Sequence, residues 1–357
     1  MTSPPNPEAQ KVSSDITFIE MDMRRLHSQV RLSNLRDRVE DLETNTKGFP
    51  QRVANARARQ YAFESNLENH AEDLRKRWMT TRTKVHSEIQ RQGQQLEKDI
   101  APIESQLRQV VARQSNPALA QPMITRLKAE IKNLQDKCTA AERSINGMFD
   151  QFQKEAGELT RKLDRIEFML TELEQASFSL LPTEGGIRAI KATWVRSEKA
   201  SKDDPKGILF ITDQRLIFEQ KEEVATKKVL FITTAREKVQ NMLFEAPIGQ
   251  IENTTISRQG TIRKQNHLEL RFGSGSSYPV ATFILSGQNP QEWQAMINRI
   301  NSGDFDKTRA IELDEELVER VKSAPTVCPN CNAAITQQIM RGMDSIKCQY
   351  CGSVIRL

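Results

Sequence analysis

Two Cys-x-x-Cys pairs, Cys328-Pro-Asn-Cys331 and Cys348-Gln-Tyr-Cys351, stand sixteen residues apart and hold four of the five cysteines of a 357-residue chain. The spacing lets two tight turns fold over one another and bring four thiolates to one point, the ligand set of a structural zinc ion. With every tetrahedral position taken by sulfur at about 2.3 Å, none is left to activate water. Gly352, directly after the fourth cysteine, suits the positive φ that such a turn needs. The rival readings are a redox dithiol and a set of disulfides. A redox pair follows a strand in an α/β unit that these short flanks cannot build, and disulfide frameworks belong to secreted chains. The polar start, Met1-Thr-Ser-Pro-Pro, has no apolar signal region, so the expected compartment is a reducing cytoplasm.

The segment 326–357 resembles the zinc ribbons found in many multidomain proteins, with Cys328, Cys331, Cys348 and Cys351 on the ligand positions. That resemblance implies a metal and leaves the task open, since related ribbons bind nucleic acid, polymerase subunits or other proteins. From residue 301 onward seven Lys plus Arg face eight Asp plus Glu, which disfavours a phosphate-binding surface. The few apolar residues, Ile335, Ile339, Ile346, Val354 and Ile355, make so short a segment dependent on its metal.

The rest of the chain divides by composition. Aromatic residues make up only 6%, and β-branched runs are scarce before Leu180 yet dense from Ile187 to Phe283. The shift places a boundary at Leu181-Pro-Thr-Glu-Gly-Gly186. Before it, apolar residues recur at three, four or seven: Val53, Phe63, Leu67, Leu74, Trp78, Val85, Ile89 and on to Val110, then Ile124, Leu127, Ile131, Leu134, Cys138 and on to Leu173. Ser115-Asn-Pro117 and Pro122 separate the two runs. Near-equal arms of about 90 Å with a short link predict an antiparallel helical coiled coil. The expected layout is a disordered 1–12, then helices over 13–46, 51–114 and 118–178 within a domain of 13–180. Gly48-Phe-Pro50 is expected to end the first helix and Pro102 to kink or interrupt the second near Ile100. The first helix either folds back on the pair or meets a second copy. Cys138 falls in the apolar register and reads as a core thiol. The cations Arg75, Lys76, Arg77, Arg82 and Lys84 read as a solvated face, because residues 1–180 balance 28 Lys plus Arg against 26 Asp plus Glu.

Residues 183–300 predict seven or eight antiparallel strands followed by one helix, with Asn289 as N-cap, Pro290 at the first position and Trp293, Met296, Ile297 and Ile300 on its apolar face. Strands are expected at 187–195, 207–212, 215–219, 228–233, 242–245, 249–257, 267–272 and 280–285. The run Gly207-Ile-Leu-Phe-Ile-Thr-Asp-Gln-Arg-Leu-Ile-Phe218 resembles the second and third strands of GRAM-like members of the pleckstrin-homology (PH) superfold. Trp293 sits where PH domains place a core tryptophan. The resemblance implies a β-barrel capped by a C-terminal helix and a surface for lipid headgroups or peptides. Its basic positions beside the first hairpin correspond to Arg196, Lys199, Lys202 and Lys206, interspersed with Glu198, Asp203 and Asp204. A linker with a short helix over 301–325 joins this domain to the ribbon at 326–357.

Neither a P-loop, a GxSxG elbow nor an HExxH stretch occurs, and no window of about eighteen apolar residues could span a membrane. The sequence therefore predicts a non-enzymatic cytoplasmic adaptor without a small-molecule substrate, holding structural zinc and meeting a protein partner or its own copy through the coiled coil. The alternatives are a peripheral protein on an anionic membrane surface, and a nucleic-acid-associated ribbon factor, which the charge balance disfavours.

Overall fold

The computed structural model describes residues 7–197, 200–229, 232–259, 265–273 and 276–357; side chains at 224–236 and 259 lie outside the description. The chain divides into two compact units, one of residues Met1–Pro50 and Asn69–Thr160, the other of Gln51–Glu68 and Arg161–Leu357. No helix among the described residues is long and apolar enough to cross a membrane.

Five helices, not three, carry the first half: α1 (Pro7–Val30), α2 (Ser33–Ala58), α3 (Leu67–Ala112), α4 (Pro117–Gly147) and α5 (Asp150–Glu174). Residues 7–12, expected to be disordered, already belong to α1. Pro7 suits a first helical turn, where its missing N–H is no loss, and Val12 opens the buried series Val12, Ile16, Ile19, Met23, Leu26, Val30. A break at Leu32, with φ 52°, falls where the apolar register shifts phase. Pro50 lies inside the continuous helix α2, contrary to the sequence expectation, and Pro102 lies within α3 without interrupting it. Around Pro50 the fully buried Phe49 and the buried Val53 keep the chain helical, so packing overrides the lost backbone bond.

In the helical unit α1 packs on α4, which settles the place of the first helix. The buried residues of α4 repeat at four and three: Ala120, Ile124, Leu127, Ile131, Leu134, Cys138, Ala141, Ile145. Ion pairs flank this seam, Lys128 to Asp15 at 2.6 Å and Lys137 to Asp99 at 2.7 Å. Trp78 on α3 stacks on Phe152 at 5.0 Å between centroids.

The larger surprise is the stop between α2 and α3. The sequence there has neither glycine nor proline, yet the helix ends at Ala58 and Tyr61, Ala62 and Phe63 are buried in succession. Three adjacent buried residues cannot share one face of a helix. Arg57 holds the turn: Nη1 donates to the carbonyls of Tyr61 (2.6 Å) and Phe63 (2.7 Å), Nη2 to that of Glu64 (2.8 Å), and Nε to Glu68 Oε1 (2.6 Å). One guanidinium thus satisfies carbonyls that helix geometry has released.

The second unit is built on a seven-stranded antiparallel sheet in the order β4-β3-β2-β1-β7-β6-β5. Its strands are β1 (Gly186–Val195), β2 (Lys206–Thr212), β3 (Arg215–Val229), β4 (Ile232–Pro247), β5 (Ile251–Gln259), β6 (Gln265–Phe272) and β7 (Val280–Leu285). The expected short strand at 228–233 is instead the far end of the β3–β4 pair, of which residues 230 and 231 lie outside the description. Among the described residues β4 and β5 do not pair, so the sheet is open, not the closed barrel expected. A 3₁₀ turn at Ile248–Gln250 separates those strands, and α6 (Pro290–Asn301) packs against that turn, β5 and β6. Trp293 on α6 is fully buried and its indole N–H donates to Gln288 Oε1. The sheet core is an aromatic cluster centred on Trp194, with Phe244 at 5.6 Å, Tyr278 at 5.8 Å and Phe218 at 6.1 Å between ring centroids. Beyond α6 come a short helix, α7 (Glu315–Ser323), and a two-stranded hairpin, β8 (Ser345–Lys347) with β9 (Val354–Arg356).

Candidate metal centre and the sheet end that receives it

Each cysteine pair forms the same turn. Cys328 N–H donates to the Ala333 carbonyl (2.8 Å) and the Cys328 carbonyl accepts from Asn332 N–H (2.9 Å). In the second turn Cys348 N–H reaches the Ser353 carbonyl (2.9 Å) and its own carbonyl accepts from Gly352 N–H (2.9 Å). Gly352 has φ 76°, and Asn332, four residues after its own first cysteine, has φ 56°. Sequence reading singled out only Gly352. The signal for Asn332 was its equal offset and the tolerance of asparagine for the left-handed region.

The four Sγ atoms lie within 4.8 Å of one another. Cys328 Sγ to Cys351 Sγ and Cys331 Sγ to Cys348 Sγ are both 3.7 Å. Sulfurs at about 2.3 Å from a tetrahedral ion stand about 3.8 Å apart, so the thiols already have the spacing of a metal shell. The Ser353 hydroxyl beside Cys351 holds that thiol down at about 5 and also lowers Cys328. Cys331 behaves oppositely: the Ala333 amide pulls it down, but its thiol neighbours push it up to about 12. Four thiols crowded together cannot all release their protons without a cation among them. Cys328 and Cys348 are buried with Ile346 and Ile355, against which Ile335, Ile339, Met343 and Leu357 pack. Val354 is exposed. Cys138, by contrast, is buried in α4, and desolvation pushes its thiol up to about 11.

The ribbon is also joined to the sheet, and the joint is polar. The tight β2–β3 turn is Thr212-Asp-Gln-Arg215. Thr212, Gln214 and Arg215 are buried, as is the side chain of Asp213, and every one of the four is used. Arg215 Nε and Nη2 bind Glu184 at 2.9 and 2.5 Å, and Nη1 binds Glu245 at 2.8 Å. Thr212 Oγ1 donates to Glu184 Oε1 at 2.6 Å. Burial disfavours the Arg215 charge, yet Glu184 and Glu245 hold the guanidinium above its usual range.

Asp213, whose side chain is only 2% exposed, accepts from Gly185 N–H (2.8 Å) and pairs with Arg309 Nη1 (2.7 Å) and Arg341 Nη2. Burial pushes its carboxyl above the ordinary carboxylate range, while the Gly185 amide and the two guanidiniums pull the other way. Gln214 completes the joint. Its Oε1 accepts from Arg341 N–H (2.6 Å) and its Nε2 donates to the Arg341 carbonyl (3.2 Å). Gly342, at φ 81°, lies where a Cβ would stand 2.7 Å from Pro182. The segment 301–311 is pinned as well. Ala310 N–H donates to the Ala62 carbonyl (2.7 Å), Phe305 meets Phe63 edge-on at 5.7 Å, and Arg309 lies over the Phe63 ring at 4.8 Å.

The basic residues beside the first hairpin fare differently from one another. Arg196, just past β1, is exposed and stacks over Trp194 at 4.8 Å. Lys202 and Lys206 are exposed, Lys206 as the first residue of β2. Lys199 lies outside the described residues. Asp204 is buried and organises the connection, accepting from the N–H groups of Ser201 (2.7 Å) and Arg196 (3.3 Å).

No known family and no curated protein matches this chain. Among solved structures, the Vps36 N-terminal PH domain aligns with 35% of this chain and 85% of its own at 15% identity, with a TM-score of 0.24. A pleckstrin homology domain from Shewanella amazonensis aligns with 35% of this chain and 89% of its own at 20% identity, with a TM-score of 0.21. Scores this low say nothing of ligand or role. What stands is a helical region, an open seven-stranded antiparallel sheet with PH domains among its structural neighbours, and a four-cysteine cluster compatible with a metal.

Proposed function

We propose that this chain is a non-enzymatic adaptor in which a structural zinc ion, held by Cys328, Cys331, Cys348 and Cys351, fixes a ribbon against a GRAM-like, PH-like docking module. The helical region is a coiled-coil arm for a protein partner or a second copy, and the setting is cytoplasmic. The observation that carries this reading is the joint itself: a four-thiol cluster in a ribbon whose Arg341 is bound by Asp213 and Gln214 at the end of the sheet. Such a metal holds a binding surface in shape and performs no reaction.

A second reading has one observation in its favour. Lys202 and Lys206 are exposed beside the first hairpin, where an anionic membrane surface would meet them. Against it, Arg196 is engaged by Trp194, and Asp204 lies within the same connection. Flotation of the full chain with anionic and neutral vesicles at near-physiological salt separates the two. The adaptor reading expects no flotation with either. Flotation with anionic vesicles that is lost when Arg196, Lys199, Lys202 and Lys206 are changed to Glu would replace it with the peripheral membrane reading.

A further inference from the structure

Three contacts at the joint each read a different part of one dipeptide. Gln214 pairs its amide with both polar backbone groups of Arg341, as a neighbouring strand would, and so recognises main chain without regard to side chain. Asp213 takes the guanidinium at Nη2, while Asp306 Oδ2 stands 3.8 Å from Nη1. The guanidinium thus hydrogen-bonds one carboxylate and stands within ion-pair range of a second. Pro182 then excludes any side chain at the next position, where the backbone is left-handed.

The charge count agrees. Without Arg341 the site holds the buried carboxylate of Asp213, the buried guanidinium of Arg309 and the 41% exposed carboxylate of Asp306, a net negative charge at the rim of the joint. Arg341 neutralises it. We propose that the sheet end formed by Pro182, Gly185, Asp213 and Gln214 is a binding site for an Arg-Gly peptide segment, which Arg341-Gly342 occupies from within the chain while the ribbon holds its metal.

The link to the metal follows from chain order. Arg341 lies between the second and third cysteines, so closing both knuckles fixes the loop that carries it. A tethered occupant at high effective concentration shuts out a free one. Releasing the knuckles turns that loop into a slack tether and opens the site to an Arg-Gly segment of a partner. This step rests on the metal-centre reading, whereas the site itself does not.

The test uses the full chain and a fluorescein-labelled peptide of residues 337–344, Gln-Gln-Ile-Met-Arg-Gly-Met-Asp, followed by fluorescence anisotropy. Arg341→Glu sets a like charge against Asp213 and ejects the resident loop without touching a cysteine. That variant is expected to bind the peptide at least tenfold more tightly than the unchanged zinc-loaded chain. Replacing either Arg or Gly of the peptide by Ala should cost tenfold or more, and adding Gln214→Ala to the protein should do the same. No binding by the Arg341→Glu chain, with its fold intact by circular dichroism, overturns the site. Equal affinity for the Arg and Ala peptides also overturns it. A parallel titration of the unchanged chain after zinc chelation should reach the affinity of the Arg341→Glu chain. Failure of that arm alone overturns the metal gate and leaves the site standing.

Discussion

The helical unit and the sheet-bearing unit are held by opposite means. In α4 eight buried residues repeat at four and three, and the charges lie outside, as in the Lys128–Asp15 pair. In the sheet unit the decisive contacts are buried charges: Glu184, Arg215, Asp213, Arg309 and Arg341. A seam spreads its stability over many interchangeable contacts, so no single residue decides its course. A buried ionic joint concentrates it in a few atoms, and truncating one partner strands the other in a poorly solvated place.

Arg215→Ala should break that contrast hardest. It leaves Glu184, whose side chain is fully buried, without its cation, and the expected cost is about 3–5 kcal/mol in the urea transition of the sheet unit. A loss under about 1 kcal/mol would mean that the network contributes little. Ile131→Ala, in the middle of the α4 seam, is expected to cost about 2–4 kcal/mol, read from the helical signal. Should it exceed the Arg215 effect, the seam is the more brittle of the two.

The smallest effect belongs to the exposed pair. Lys128→Ala should change stability by less than about 1 kcal/mol. The hydrogen bond from Lys128 holds the Asp15 carboxyl below its usual 3.8. A depressed carboxylate stabilises the fold at pH values above its unfolded pKa, and the contribution fades as pH falls through the folded value. The difference between Lys128→Ala and the unchanged chain should therefore be present at pH 7, begin to fade below about 4 and vanish once the pH lies below the depressed folded value. A difference that persists in strong acid would show that Lys128 acts through packing instead.

What the sequence made legible follows the same division. The α4 seam could be read residue by residue, because period and burial are the same fact in a helix. The cysteine knuckles could be read too, since their spacing is local. The stop after Ala58 could not, because its cause is Arg57 reaching forward to three carbonyls and not a glycine or proline in place. Pro50 misled in the other direction, since tertiary packing at Phe49 and Val53 outweighed a strong local signal. The joint at Asp213 was hidden for a different reason. Arg309 and Arg341 lie far along the chain, and nothing in the turn Thr212-Asp-Gln-Arg215 says which distant cation will arrive.

The shared use of one Asp213 oxygen sets an order of assembly. Oδ2 serves both Arg309 and Arg341, and during synthesis Arg309 is made first. The carboxylate can thus have a counterion before any ribbon cysteine exists, and Asp213 need not wait as a bare buried anion. Arg341 arrives afterwards at a place already shaped by its predecessor. The two arginines are an earlier and a later counterion for the same group, both kept in the folded chain, and the second comes with the thiols that fasten it.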